Sequence, residues 1–398
     1  MTKAFCISTL LSVALLAGCV APTPLRLDAA SAPMRMFSEN GQVQITVKAR
    51  KGQRPRDIGR KIRQISPLDV QVISVPRADL EKTLKSLSQD KAVQYAQPCS
   101  VVKAMQEAPN DPLFTQQYAP RVTKAVEAWP VSRGGGVSIA IVDTGIDPEH
   151  PDLKRKLKPG FNALDQGSDV RDENGHGTHC AGIAAASTNN GVGIAGIAPD
   201  ASILPVKALG RSGQGSDATV AEGIVWAADH GASIISLSLG TPDDTQVLKE
   251  ACEYALKKGA FLVAAMGNAG NDQRSYPAAY PGVMAVGATG EEDQAADFSQ
   301  YGDWISVSAP GVAIYSTFPT YAVELSDYGF PQDYAAIDGT SQATPIAAGV
   351  AALLKAKHPG LTAAQLKQKI ESSADPVGAA GFDIHFGHGR INALRALS

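Results

Sequence analysis

Val137-Ser138-Ile139-Ala140-Ile141-Val142-Asp143 is an apolar run of strand length that ends on a carboxylate. Four more short apolar runs follow, at residues 203–208, 233–239, 261–265 and 283–286. Runs this continuous suit a parallel sheet covered on both faces, because neither face alternates with water. Between them, residues 216–230 and 245–258 have helical length and spacing, with Ser216 as an N-cap and Gly231 and Gly259 as C-terminal stops. Strands alternating with helices predict an α/β domain, a three-layer α/β/α sandwich with a mostly parallel sheet. Sites in such sheets gather at the carboxyl ends of strands, where Asp143 stands.

Upstream the pattern changes. Residues 42–47 alternate as a strand, 55–65 suit a helix, and 70–75 form a second strand ended by Pro76. Residues 77–87 then place Leu80, Leu84 and Leu87 on one helical face, and 92–96 form a third strand. This order fits a small ferredoxin-like α+β unit, with an unrelated accessory domain as the alternative. Residues 42–88 hold 11 Lys+Arg against 4 Asp+Glu, a balance of +7, so the whole-chain charge of -3 leaves -10 elsewhere. A basic small unit is attracted to an acidic large one. The chain has no dense basic run, so nucleic acid is not an expected partner.

Two further stretches carry chemistry. His176-Gly177-Thr178-His179 opens one helical run, and Gly339-Thr340-Ser341-Gln342-Ala343 opens another at residues 343–354. Acyl transfer needs a nucleophilic hydroxyl, an imidazole to take its proton, and a carboxylate to orient the imidazole. Ser341, His176 and Asp143 supply the three. Two histidines three apart on a helix also invite a zinc reading, but no Glu lies between them and no third ligand is indicated.

The three motifs, in the order Asp, His, Ser, resemble those of the subtilisin-like serine proteases, most nearly the thermitase-like members. The resemblance covers the chain from Asp111 to its end. It implies a serine endopeptidase acting through an acyl-enzyme on protein or peptide substrates, with no organic cofactor. Asn268, in Met266-Gly267-Asn268-Ala269-Gly270, matches the family's oxyanion amide, with the N–H of Ser341 as its partner. Ser238, Leu239 and Gly240 correspond to one wall of the primary specificity pocket, Ala265 and Gly267 to the other, and Ser275 to its floor. A small uncharged floor implies broad specificity with a preference for large apolar side chains before the cut. A structural Ca²⁺ site is implied at Asp111, Asp152 and Asn190 with the carbonyls of Ser187, Val192 and Ile194. A second calcium loop of the family matches poorly: Asn162, Gly167 and Arg171 stand where ligands are wanted, leaving Asp165, so that site is expected to be weak or absent. Cys180 matches a free, buried cysteine of some members. Gln342 replaces the methionine usual after the nucleophile and Ile346 a usual histidine. The first change implies peroxide tolerance, with Met266 as the remaining oxidisable neighbour.

The chain opens with Lys3, an apolar run over 4–16, and Leu16-Ala17-Gly18-Cys19, similar to a bacterial lipobox. The expected organisation is a lipoprotein signal at 1–18, a lipidated tether at 19–38, an inhibitory propeptide at 39–107 and the catalytic domain at 108–398. The family's propeptide close is resembled by Val93-Gln94-Tyr95-Ala96-Gln97-Pro98. Lipid on Cys19 implies an exported precursor anchored at a bacterial membrane, the outer membrane or cell surface favoured because Val20 is not Asp. Cleavage between Cys99 and Asn110 would then release the enzyme. An ordinary secretory signal is the alternative. Outside the signal only Cys99, Cys180 and Cys252 remain, an odd number that argues against a disulfide framework. The rival functions are a catalytically silent binding or chaperone-like protein and a metal-dependent hydrolase.

Overall fold

The computed structural model describes residues 38–39, 41–101 and 108–398; the signal, Cys19, the tether up to residue 37 and residues 102–107 of the expected junction lie outside them. The chain divides into two compact units, one ending at Met105 and one beginning at Gln106.

The small unit contains β1 (Ser38–Glu39), β2 (Gln42–Ala49), β3 (Arg60–Ile65), β4 (Val70–Pro76), α1 (Leu80–Ser88) and β5 (Val93–Pro98). Its main strands form an antiparallel sheet in the order β5-β2-β4-β3, that of a split β-α-β unit. Val43, Ile45 and Val47 alternate inward and meet Leu80 and Leu87 of α1. The expected helix at 55–65 does not form, and Arg60–Ile65 is an edge strand instead. Ile58, Ile62 and Ile65 mimic a helical stripe, but Gly59 between them takes a φ of +80°. A Cβ there would stand 2.8 Å from Val75 Cγ1, so glycine lets the chain close onto β4 and pair with it.

In the large unit the first helices are α2 (Ala119–Val122) and α3 (Ala125–Ala128). Then come β6 (Ser138–Asp143), β7 (Phe161–Asn162), α4 (His176–Ala185), β8 (Ser202–Lys207) and α5 (Asp217–Asp229). They are followed by β9 (Ile234–Leu237), α6 (Gln246–Lys257), β10 (Phe261–Ala265), β11 (Met284–Thr289) and β12 (Val307–Pro310). A hairpin of β13 (Ile314–Thr317) and β14 (Tyr334–Ile337) precedes α7 (Thr340–Lys357), α8 (Ala363–Ser373) and α9 (Ala393–Ala396). Seven strands pair in parallel in the order β12-β11-β10-β9-β6-β8-β7.

Every residue of β6 is buried, and its side chains divide between the layers. Ile139 and Ile141 enter the core shared with α4 and α7, whereas Ala140 and Val142 enter the core shared with α5 and α6. This is the expected three-layer sandwich. Ser216 caps α5 through a reciprocal pair with Thr219, each bond 3.1 Å. The chain continues from β6 to β8 on one side and later returns to β9 on the other, so the sheet order reverses beside Asp143 and opens a crevice there. Cys99, Cys180 and Cys252 are free thiols.

Candidate active site

The structure brings Asp143, His176 and Ser341 to this crevice from β6, α4 and α7, and Asn268 from the loop after β10. Asp143 ends β6, and its Oδ1 accepts from the Thr144 N–H at 2.7 Å and faces His176 Nδ1 at 2.8 Å. Its Oδ2 is buried with no partner. His176 is the first residue of α4, so its ring leaves the helix axis toward the strand ends. Burial alone would discourage charge on this ring, but the Asp143 carboxylate outweighs it and holds the His176 pKa well above that of an ordinary imidazole.

Asp172 holds the start of α4 in place and escaped the sequence reading. Fully buried, it accepts five bonds: from Thr144 Oγ1 (2.9 Å), Asn174 N (3.0 Å), Gly175 N (2.9 Å), Thr178 N (2.9 Å) and Thr178 Oγ1 (2.6 Å). A carboxylate that collects the free N–H groups of a helix start satisfies orphan donors and favours the dipole at once. The signal available was an acid four residues before a predicted helix start.

Ser341 lies in the first turn of α7. Its Oγ donates to the Ser238 carbonyl at 3.1 Å, and Ser238 Oγ donates back to the Ser341 carbonyl at 2.7 Å. Cys180 Sγ sits beneath Ser341 and His176, 3.5 Å from the Ser341 carbonyl oxygen and 3.9 Å from His176 Nδ1. Burial pushes the Cys180 thiol up, so it remains protonated. Gln342 is buried with both amide atoms unpartnered, and Met266 is fully buried. His179 turns away, its Nε2 3.1 Å from the Ala335 carbonyl, and burial lowers its pKa to about 3. The two histidines therefore face different partners and share no metal position.

Asn268 Oδ1 accepts from Thr340 N at 2.9 Å and Thr340 Oγ1 at 2.8 Å, which turns Nδ2 toward the cleft. A Cβ on Gly339 would meet Gln342 Oε1 at 2.6 Å and would stand between Asn268 Nδ2 (3.4 Å) and Ser341 N (3.5 Å), so glycine leaves that position free. Two donors thus flank one small region beside the hydroxyl.

A cavity of about 440 Å³ adjoins them. Leu239, Gly240, Ala265, Gly267 and Ser275 line it as expected. Gln273, Arg274 and Gln300 also line it and were not anticipated. Arg274 is drawn aside by Asp303 at 2.7 Å and lies 5.2 Å over the Trp304 ring. Ser238 lines instead a neighbouring cavity of about 600 Å³ that also includes His176, Asn174, Leu209 and Leu325. The sequence reading missed this second cavity.

The expected calcium ligands also converge. Asp111 accepts from Asn189 N (2.9 Å) and Asn190 N (3.1 Å), while Asp152 accepts from Asn190 Nδ2 (2.7 Å), Ile194 N (2.9 Å) and Tyr334 OH (3.0 Å). Both carboxylates are buried, and burial pushes the Asp152 pKa up despite those donors. Among the described residues the carbonyls of Ser187, Val192 and Ile194 accept no backbone hydrogen bond. Asn190 Oδ1 itself accepts from Val192 N at 2.8 Å, so a cation here would replace protein donors on these side chains. Two buried carboxylates, an amide oxygen and open carbonyls form a donor set that fits a hard divalent cation. In the other loop protein donors likewise occupy the side-chain oxygens: Asn162 Oδ1 takes Leu164 N (3.0 Å), and Asp165 Oδ1 takes Gly167 N (2.8 Å). The Lys207 ammonium lies against the Arg171 carbonyl at 2.8 Å and Glu173 at 2.6 Å.

The Subtilase family profile matches residues 134–389. Thermitase from Thermoactinomyces vulgaris is 47% identical over 290 residues, covering 73% of this chain and 99% of that protein. A thermophilic serine proteinase from Bacillus sp. strain AK1 is 42% identical over 322 residues, 80% of this chain and 76% of that protein. Among solved structures, a protease of Pseudoalteromonas arctica PAMC 21717 superposes with a TM-score of 0.66 at 30% identity, covering 73% of this chain and 99% of its own. Fervidolysin from Fervidobacterium pennivorans, a keratinolytic enzyme related to subtilisin, gives 0.67 at 27% identity, covering 92% of this chain and 62% of its own. The family match runs from before β6 to beyond α7 and so spans every element that carries Asp143, His176, Asn268 and Ser341: the chain belongs to the subtilase family, and it is a serine endopeptidase.

Proposed function

We propose that Ser341, His176 and Asp143 form the catalytic triad, with Asn268 Nδ2 and the Ser341 N–H as the oxyanion donors. The observation that carries this reading is the 2.8 Å contact between His176 Nδ1 and Asp143 Oδ1 at the mouth of the crevice that holds both donors. On substrate binding the Ser341 hydroxyl exchanges the Ser238 carbonyl for His176 Nε2. It then attacks the scissile carbonyl while the ring takes its proton, and the ring passes that proton to the leaving amine. Water resolves the acyl-enzyme by the same route in reverse. An extended substrate pairs with the edge at Ser238–Gly240, and the side chain before the cut enters the 440 Å³ cavity, where Leu239, Ala265 and the small Ser275 leave room for a large apolar group beside the polar Gln273, Arg274 and Gln300.

Asn268→Ala tests the oxyanion assignment. Removing one such donor lowers turnover by about 10²–10³ in subtilisin, and the same loss is expected here with a nearly unchanged Michaelis constant. Turnover within threefold of wild type in a folded variant would remove Asn268 from the mechanism.

The small unit acts as folding helper and inhibitor of a zymogen that cuts itself between Cys99 and Asn110. Its basic balance supports docking on the acidic remainder. Lipid on Cys19 anchors the precursor, and processing frees the catalytic unit from a bacterial outer membrane or surface into the medium. Asp111, Asp152 and Asn190 hold a structural Ca²⁺ with the carbonyls of Ser187, Val192 and Ile194. When bound it neutralises two buried carboxylates and ties the segment at Asp111 to the loop at 187–194. Chelation is then expected to lower the thermal midpoint by about 5–10 °C, with activity at 25 °C lost only as the fold is lost. Prompt loss of activity with an unchanged midpoint would favour a metal-dependent hydrolase instead.

A further inference from the structure

Residues 318–333, between β13 and β14, form a small folded loop with an apolar centre of its own. Phe318 and Val323 are buried there with Ala335, and Tyr321, Leu325 and Phe330 pack on them. The loop is fastened to the approach to His176. Tyr321 OH donates to the Asp172 carbonyl at 2.9 Å, and the N–H groups of Glu324 and Leu325 donate to the carbonyls of Glu173 and Asn174 at 3.0 and 3.1 Å. Thr320 donates from N and Oγ1 to the buried Asp147 carboxylate at 2.9 and 2.7 Å. On its outer side Glu324 meets Arg211 at 2.8 Å, and Arg211 in turn accepts from Asn174 Nδ2 through its carbonyl at 2.8 Å. These bonds carry Leu325 into the wall of the 600 Å³ cavity, beside Asn174, His176 and Leu209.

We propose that this loop is a specificity element, and that Leu325 limits the size of the substrate side chain one position N-terminal to the one held in the 440 Å³ cavity. The inference rests on Ser341 and His176 being the reacting pair, since that fixes which substrate carbonyl is attacked. Successive side chains of an extended strand point to opposite faces. If one enters the pocket beside Asn268, the preceding one turns toward the His176 ring, where Leu209 and Leu325 stand. Those surfaces are apolar and accept a small or medium aliphatic group. A large aromatic group would need Leu325 to retreat, and its backbone N–H bond and the packed loop centre oppose that. The exposed Arg211–Glu324 pair contributes little by itself, so the fastening is mainly the backbone bonds and the apolar centre.

The test compares two peptides that differ only at that position, Ala against Phe, using the mature enzyme from the full chain. Wild type should favour Ala by about 10-fold or more in kcat/KM, within the range that pocket size commonly supplies. Leu325→Ala should cut that preference about 10-fold by admitting Phe, and Leu325→Phe should raise it, with thermal midpoints checking that both remain folded. A preference that stays within twofold of wild type in both folded variants overturns the proposal. A wild type that cleaves neither peptide overturns both this proposal and the reading of the reacting pair.

Discussion

Ser341→Ala should leave the full-length chain uncut and lower peptide hydrolysis by about 10⁶-fold, the scale known for loss of the nucleophile in subtilisin. The expectation follows from a single atom. Ser341 Oγ makes one bond in the structure, to the Ser238 carbonyl, so its removal forfeits about 1 kcal/mol of hydrogen bonding and no core packing. The fold should therefore survive, with the oxyanion donors and the binding cleft intact, and these alone sustain only a residual rate above that in water. Intact mass and the N-terminus of the product separate the possibilities. A wild type trimmed between Cys99 and Asn110 beside an uncut variant locates self-processing at Ser341. If both are trimmed alike, another protease does the cutting. If the variant still hydrolyses peptides at a rate near that of wild type, Ser341 is not the nucleophile.

The parts of this site that were legible in the sequence are those where chemistry leaves few residue types to choose from. Asp143 could be placed at a strand end because the run before it is apolar on both faces, and β6 sends alternate side chains into two cores. His176 and Ser341 could be placed at helix starts because glycine precedes one and Gly339-Thr340 the other. What stayed hidden depends on atoms far apart in the chain. The Ser341 hydroxyl rests on the Ser238 carbonyl, and no local pattern says so. Asp172 looks like a turn acid until its five donors are counted in three dimensions. Leu325 reaches the cleft only because its loop hangs on the carbonyls of Glu173 and Asn174.

The one secondary-structure error has the same root. Ile58, Ile62 and Ile65 keep a helical spacing, yet a short helix with no face to bury is marginal in water, whereas β4 offers an edge to pair with. All six side chains of β3 are exposed, so no buried face set the period of that segment. Periodicity reports burial, and where nothing is buried it has nothing to report.

Asp143→Asn should lower turnover by about 10⁴-fold with little change in fold, and should move the acid limb of the pH profile to lower pH. Asp143 Oδ1 already accepts from Thr144 N, and Oδ2 is buried without a partner. An amide in this place can keep its oxygen on the Thr144 N–H only by leaving a buried NH₂ unsatisfied. The alternative orientation gives up the Thr144 N–H bond and puts NH₂ against His176 Nδ1, and a ring in that orientation has Nδ1 as acceptor and its proton on Nε2. A ring protonated on Nε2 cannot take the proton of Ser341, so the reaction loses its base. The pH shift follows from the charges. Burial lowers the His176 pKa and the Asp143 carboxylate raises it, and in the wild type the carboxylate prevails. Only the neutral ring is a base, so wild-type activity should fall as pH drops through a pKa above that of ordinary imidazole. The raised pKa also means that the charged His176–Asp143 pair stabilises the fold below the pKa of an unfolded histidine, and that this contribution disappears as pH rises through the folded value. With the carboxylate gone, the largest influence raising the His176 pKa is lost while burial still lowers it, so the ring should titrate lower than in the wild type. Profiles of kcat/KM against pH for both proteins decide the matter. A limb that does not move would show that it reports some group other than His176, and a limb that moves upward would contradict the balance of burial and charge on which the assignment rests.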